Sequence, residues 1–217
     1  MRTFGFPEFL FILEAAKWTL ALSAIAFIGG AILGLTIALM RTSDSTWART
    51  VSTVFIQIFQ GTPLLLQLFL IFFGAPVLGL DINPWIAAGV ALVLNSAAFL
   101  GEIWRGCIQA IPRGQWEAAE ALSLKYSARM RDVVLPQAFK IALAPTVGYL
   151  VQIIKGTSLA AIIGFAEITR AGQIINNATF QPLVVFSVVA AIYFAICWPL
   201  SLLAARMERR RAQALAR

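Results

Sequence analysis

The chain has no histidine and only two cysteines, Cys107 and Cys197. The first absence removes the usual imidazole ligand for zinc and the usual proton shuttle near neutrality. The second leaves neither a disulfide framework nor a metal-binding spacing. Charge is scarce too: Asp, Glu, Lys and Arg make up 12% of the residues, against about 25% in a soluble domain. The 17 basic residues outnumber the ten acids. They flank apolar runs and form no patch with stacking aromatics, which excludes nucleic acid as a partner. No G-x-x-x-x-G-K-[ST] stretch occurs, so the chain lacks that loop for cradling nucleotide phosphates. No alternating pattern with regular turns suggests a membrane barrel. Glu8 and Glu14 interrupt the first apolar stretch, and no cleavage site follows, so the start does not read as a signal peptide.

What is present is oil. Of 217 residues, 60% are hydrophobic, and the mean hydropathy is +0.83. The expectation is an all-α integral membrane protein, with residues 1–217 forming one transmembrane domain. Helices are required because backbone polar groups in lipid must find partners within their own segment. A span needs about 20 apolar residues. Residues 18–40, 51–73, 84–100, 139–154 and 183–205 meet or approach that length, giving about five spans. The second is interrupted by Gly61-Thr62-Pro63, and the fourth is extendable through 159–165. Residues 4–13 are apolar but short and read as an interfacial helix within an outer N-terminal segment, 1–17.

Five spans put the termini on opposite sides. One side receives Arg41, Arg49, the six basic residues of 105–140, and the five of the 206–217 tail. The other receives only Arg2, Lys17, Lys155 and Arg170. The richer side is expected to be cytoplasmic. The N-terminus is then outside, and the C-terminus, a basic topology anchor, is inside.

Residues 105–140 form a polar island, expected to carry two short amphipathic helices at 115–122 and 127–135. Glu117 and Glu120 near the start of the first suit its dipole. Ala118, Ala119 and Leu122 share another face. Pro136 is placed to open the next span. An ordered excursion of this length in so small a chain points to a docked partner; an ordinary surface loop is the other reading.

Gly114-Gln115-Trp116-Glu117-Ala118-Ala119, followed by Val134-Leu135-Pro136-Gln137-Ala138, resembles the E-A-A loop of ABC importer permeases. Gln60-Gly61-Thr62-Pro63-Leu64, Leu94-Asn95-Ser96-Ala97, Glu102-Ile103-Trp104-Arg105-Gly106 and Lys155-Gly156-Thr157-Ser158-Leu159 resemble the polar amino acid branch of that family. The resemblance implies a type I importer fold and an amino-acid permease in a bacterial inner membrane. It implies four kinds of partner: two ATP-binding subunits, a second permease subunit, a periplasmic solute-binding protein and membrane lipid. No cofactor or metal is expected on this chain; ATP-Mg belongs to the partner ATPase. ATPase coupling would fall to Gly114, Glu117, Ala118, Ala119, Leu122 and Ser123. The family usually has glycine where this chain has Ser123, and Ser or Thr where it has Lys125. Ser127 is then the expected cap of the second helix, and the turn between the helices is expected to differ. Tyr149 stands where Asn is common. A membrane adaptor for a soluble enzyme, or a secondary transporter, are the other readings. Against the latter, no internal repeat is evident.

Polar residues inside spans are costly and mark function by default. The candidate pathway residues are Gln60, Thr62, Gln67, Asn95, Ser96, Lys155, Thr157, Ser158 and Glu167. Gln57, Gln60 and Gln67 share one face if the helix is continuous. Asn95 and Ser96 suit either substrate or interhelical bonding. Glu102 and Arg105, three apart, are expected to pair.

Overall fold

The computed structural model describes residues 3–215. Met1, Arg2, Ala216 and Arg217 lie outside them. Among the described residues there is no strand. Four helices are long and apolar enough to cross a membrane, or five if one bent pair counts as a single span.

Helix α1 (Phe6–Thr42) runs for 37 residues. The separate interfacial helix expected at 4–13 does not exist: from Phe6 on, that stretch is the first two turns of α1. Glu14-Ala15-Ala16-Lys17 are all strong helix formers and nothing there stops the helix. Glu14 and Lys17 pair at 2.5 Å one turn apart. Glu8 accepts the Gly5 N–H at 3.0 Å and closes the N-terminus.

Helix α4 (Pro84–Gln109) starts where Asn83 accepts the Ile86 N–H at 3.0 Å and Pro84 needs no donor. It lies along α1 at very close range. A Cβ on Gly30 would stand 2.5 Å from the Ser96 Cβ, and one on Gly101 would stand 2.9 Å from the Ile37 Cγ2. Small residues let two backbones approach where lipid supplies no hydrophobic drive of its own. Ser96 is only 1% exposed, so its place is in this seam.

The second expected span is two helices, α2 (Thr46–Gly61) and α3 (Leu64–Val77), bent by 100°. Sequence reading anticipated local unwinding within one span. The break is complete because Gly61 is a weak helix former and Pro63 lacks an N–H. One consequence corrects the shared glutamine face: Gln67 points into the protein from α3, whereas Gln57 and Gln60 are exposed on α2.

Two corrections concern the island. Its first helix, α5, covers Arg113–Ala121. Its second is not a separate element. A short turn, α6 (Tyr126–Ala128), passes through a π-helical stretch (Arg129–Val134) into α7 (Leu135–Gly156) and a 3-10 stretch (Thr157–Ile163). The result is one rod, Tyr126–Ile163. Pro136 stands in the first turn of α7, as expected, where its missing N–H costs little; the π stretch before it joins that turn to α6. The fourth span is accordingly far longer than 139–154. Helices α8 (Ile168–Thr179) and α9 (Pro182–Leu215) follow.

Three of the core's clusters tie the bundle together. Leu22, Ala26, Leu68, Leu92 and Phe165 join α1, α3, α4 and the segment after the rod. Ile12, Ile168, Val185 and Ile192 join α1, α8 and α9. Ala38, Ile108, Ile111, Met130 and Val134 hold the island against the ends of α1 and α4.

Candidate functional site

The break between α2 and α3 strands the last carbonyls of α2. Side chains satisfy them. The Gln67 Nε2 lies 2.8 Å from the Phe59 carbonyl and 3.0 Å from that of Thr62. The Asn95 Nδ2 reaches the Phe59 carbonyl at 3.3 Å and donates to Gln67 Oε1 at 3.1 Å. Tyr149 Oη donates to Asn95 Oδ1 at 3.4 Å, bringing the rod into the network. Thr62 Oγ1 donates to the Ile58 carbonyl at 2.7 Å. Gln60 Nε2 donates to the Ala98 carbonyl at 3.2 Å. Gln67 and Asn95 are buried at 5% and 8% exposure. Their amides are spent on holding the bend, because an orphan carbonyl in this setting is expensive. Of Asn95's two readings, the structure shows the interhelical bond.

The bend's outer surface is different. Gln57, Gln60, Gly61, Thr62 and Pro63 are exposed. The end of the rod meets it: a Cβ on Gly156 would lie 3.3 Å from the Leu64 side chain. Lys155, the preceding residue, is exposed. Gln152, one turn earlier, is exposed as well. Sequence reading missed Gln152 and treated Tyr149 only as an atypical residue. The signal was available: Gly148, Gln152 and Lys155 stand at i, i+4 and i+7 of a spanning helix, one polar stripe that cannot face lipid.

Of the remaining candidates, Thr157 and Glu167 are interior and Ser158 is half-buried. Thr157 is fully buried and donates to the Ile154 carbonyl at 2.7 Å; Ser158 donates to the Lys155 carbonyl at 2.7 Å. Glu167 is 0% exposed and caps α8, accepting from the Arg170 N–H at 2.9 Å and from Tyr193 Oη at 2.6 Å. Burial pushes its carboxyl above the ordinary glutamate value, and the bonds from Tyr193 and from the backbone N–H groups of Thr169 and Arg170 oppose that rise. Glu102 and Arg105 pair as expected, with Arg105 Nε donating to Glu102 Oε2 at 2.8 Å.

At the island, Gly114, Glu117, Ala118, Leu122 and Ser123 are all exposed. Ala119 is not: at 2% exposure it is packed inward. The expected shared face of Ala118, Ala119 and Leu122 is therefore split. Three other ties bind α5 to the rod. Trp116 packs on the Met130 and Val134 cluster, Gln137 Nε2 donates to Gln115 Oε1 at 3.1 Å, and Arg129 faces Glu120 at 3.9 Å. The helix ends in a Schellman turn: Ser123 N–H meets the Glu120 carbonyl at 2.8 Å and Leu124 N–H the Ala119 carbonyl at 3.1 Å. Ser123 takes φ +53°, the left-handed conformation that glycine adopts without cost. The turn keeps its ordinary shape despite the serine. The expected cap at Ser127 does not form; Lys125 holds the N-cap position, with no side-chain hydrogen bond.

Residues 17–213 match the family described as binding-protein-dependent transport system inner membrane component. The chain is 38% identical over 206 residues to the glutamine transport system permease protein GlnP of Escherichia coli (strain K12), covering 94% of each. It is 36% identical over 205 residues to the arginine transport system permease protein ArtQ of Bacillus subtilis (strain 168), again covering 94% of each. Its fold is similar to a solved chain from an amino acid ABC transporter crystallised with histidines. There the TM-score is 0.87 at 35% identity, covering 96% of this chain and 100% of that one.

Proposed function

The chain belongs to the binding-protein-dependent transport system inner membrane component family, and from that premise we propose how it works. It is a permease subunit of an ATP-driven amino-acid importer with the type I fold, and it is not an enzyme. ATP is hydrolysed on a separate subunit that holds the ATP-Mg, and a solute-binding protein delivers the cargo. Our reading of the finer assembly is two ATPase subunits and two permease subunits, with the island and C-terminus cytoplasmic and the N-terminus outside. The unequal distribution of Lys and Arg supports that orientation.

One observation carries the mechanism: the rod Tyr126–Ile163 is continuous from the exposed helix α5 to the bend. Gly114, Glu117, Ala118, Leu122 and Ser123 present the ATPase with a surface. Ala119, Trp116 and Gln115 fasten that surface to the rod. Movement of α5 is thus delivered to Tyr149, and from there to Asn95 and Gln67 at the broken span. The network has discrete partners, so a tilt of the rod exchanges hydrogen bonds instead of straining them smoothly. Gln60, Thr62 and Lys155 line the route at the exposed bend. Ser96, Thr157 and Glu167 support it from within, and Ser158 stands half-buried at its side.

The test is uptake of labelled amino acid into vesicles holding the permease with its ATPase and binding protein. Uptake should require ATP hydrolysis and survive collapse of the proton gradient. Uptake that persists with hydrolysis blocked and stops without the gradient would mark a secondary transporter instead.

A further inference from the structure

Away from the bend, an apolar groove of about 500 Å³ opens between α1, α4 and the first half of the rod. Phe27 and Leu35 line it from α1, Trp104 and Cys107 from α4, and the rod lines it from Leu135 to Val147. The one indole N–H and the one hydroxyl in this lining are bonded to each other, Trp104 Nε1 donating to Thr146 Oγ1 at 2.9 Å. The groove is open to the bundle's surroundings: Leu35 is 44% and Phe139 65% exposed.

Its length and its width both fit a single hydrocarbon chain. Leu135 to Val147 is about 18 Å of helix at a rise of about 1.5 Å per residue. One leaflet is about 15 Å, half of a core about 30 Å thick. Phe27 lies near the middle of α1 and Leu35 nearer its island end, so the groove runs from the island-side surface toward the midplane. Spread over that length, its volume gives a section of about 28 Å², roughly a third of the section of a helix about 10 Å across. A helix from a second copy is too wide for it. An acyl chain is not.

Two cations stand at the island-side end. Lys140 is exposed on the rod between the lining residues Phe139 and Leu143. A helical side chain leans toward its helix's N-terminus, which here is the island, so the ammonium reaches for the headgroup level. Arg211, exposed on the last turns of α9, is near enough for its charge to act on the Cys107 thiol in the groove wall. Neither cation pairs with a carboxylate among the described residues. Basic residues beside a cleft between spans attract anionic headgroups. A zwitterionic headgroup gains less, because it brings an ammonium of its own.

We propose that this chain holds one anionic phospholipid of the island-side leaflet, with an acyl chain in the groove and the phosphate on Lys140 and Arg211. The site stands apart from the transport reading, although it lies between the α1–α4 seam and the rod. The experiment takes the purified permease–ATPase complex from vesicles of phosphatidylethanolamine and phosphatidylglycerol in equal amounts and weighs it intact by native mass spectrometry. Each permease chain should retain one phosphatidylglycerol, at least fivefold in excess over phosphatidylethanolamine. Lys140→Gln combined with Arg211→Gln should abolish that excess at an unchanged thermal midpoint. Ala142→Phe, which puts a ring into the groove, should remove the retained lipid. Equal retention of the two lipids by the wild type overturns the proposal, and so does an excess that the double variant keeps. Undiminished retention in Ala142→Phe overturns the groove as the seat; should that variant fail to assemble, the charge variant alone decides. A disulfide joining two Leu143→Cys chains in the membrane would mean that a second copy covers the groove, and would overturn it too.

Discussion

At the scale of single residues, the most informative side chains are those whose local chemistry contradicts their surroundings. Ser123 occupies a left-handed position at φ +53°, where a side chain costs about 1 kcal/mol. Ser123→Gly should therefore raise the thermal midpoint in detergent by an amount matching about 1 kcal/mol, with uptake retained; an unchanged or lower midpoint would count against strain at that turn. Asn95 holds Phe59, Gln67 and Tyr149 together. Asn95→Leu should cost about 1–3 kcal/mol, since it leaves buried polar groups unpaired, and the same unfolding measurement reads it. Glu167 is the third case. Its carboxyl is raised in the folded protein by burial, so the unfolded chain releases its proton first. Stability from this residue is then greatest at low pH and falls as pH rises from the ordinary glutamate value through the folded one, flattening above it. Glu167→Gln should remove that slope between those two values; an identical pH profile of the thermal midpoint in both proteins would refute the argument.

Among elements, the decisive ones are the broken span and the rod. The stop at Gly61-Thr62-Pro63 could be read from the residues, because glycine and proline act on the backbone where they stand. The 100° bend could not. It depends on Gln67, from α3 itself, and Asn95, from α4, reaching stranded carbonyls of α2. The rod's continuity was likewise illegible: Pro136 marks the first turn of α7, but nothing in the residues announces the π stretch Arg129–Val134 that joins it to α6. Ala119 shows the same limit: it is 2% exposed although Ala118 and Leu122, which the sequence puts on its face, are open. The coupling surface predicts its own test. Glu117→Lys, on the exposed face of α5, should weaken ATPase association and uptake at least tenfold while membrane insertion and the thermal midpoint hold. Wild-type uptake in that variant would exclude docking through α5.

For the whole molecule, orientation is the open quantity that a labelling experiment reads directly. Cys107 and Cys197 are both buried, so single cysteines can be added without removing them. Asp81→Cys and Leu122→Cys sit at exposed positions on opposite ends of the bundle. An impermeant maleimide added to intact cells should label the first and spare the second until the membrane is opened. The reverse pattern would invert the proposed topology and with it the placement of the ATPase.

By itself, the sequence determined the class, the approximate number and position of the spans, and the polar segment that interrupts them. These follow from transfer of apolar surface into lipid and from where charge is tolerated, properties that each residue carries wherever it is. Tertiary structure alone decided which polar residues are spent and which are free. Gln67, Asn95 and Glu167 look like binding groups in the sequence, yet their hydrogen-bonding capacity is consumed by carbonyls, N–H groups and a tyrosine distant along the chain. Gln152 and Lys155 are left exposed on the rod. A hydrogen bond depends on the position of both partners, and only the folded chain supplies the second.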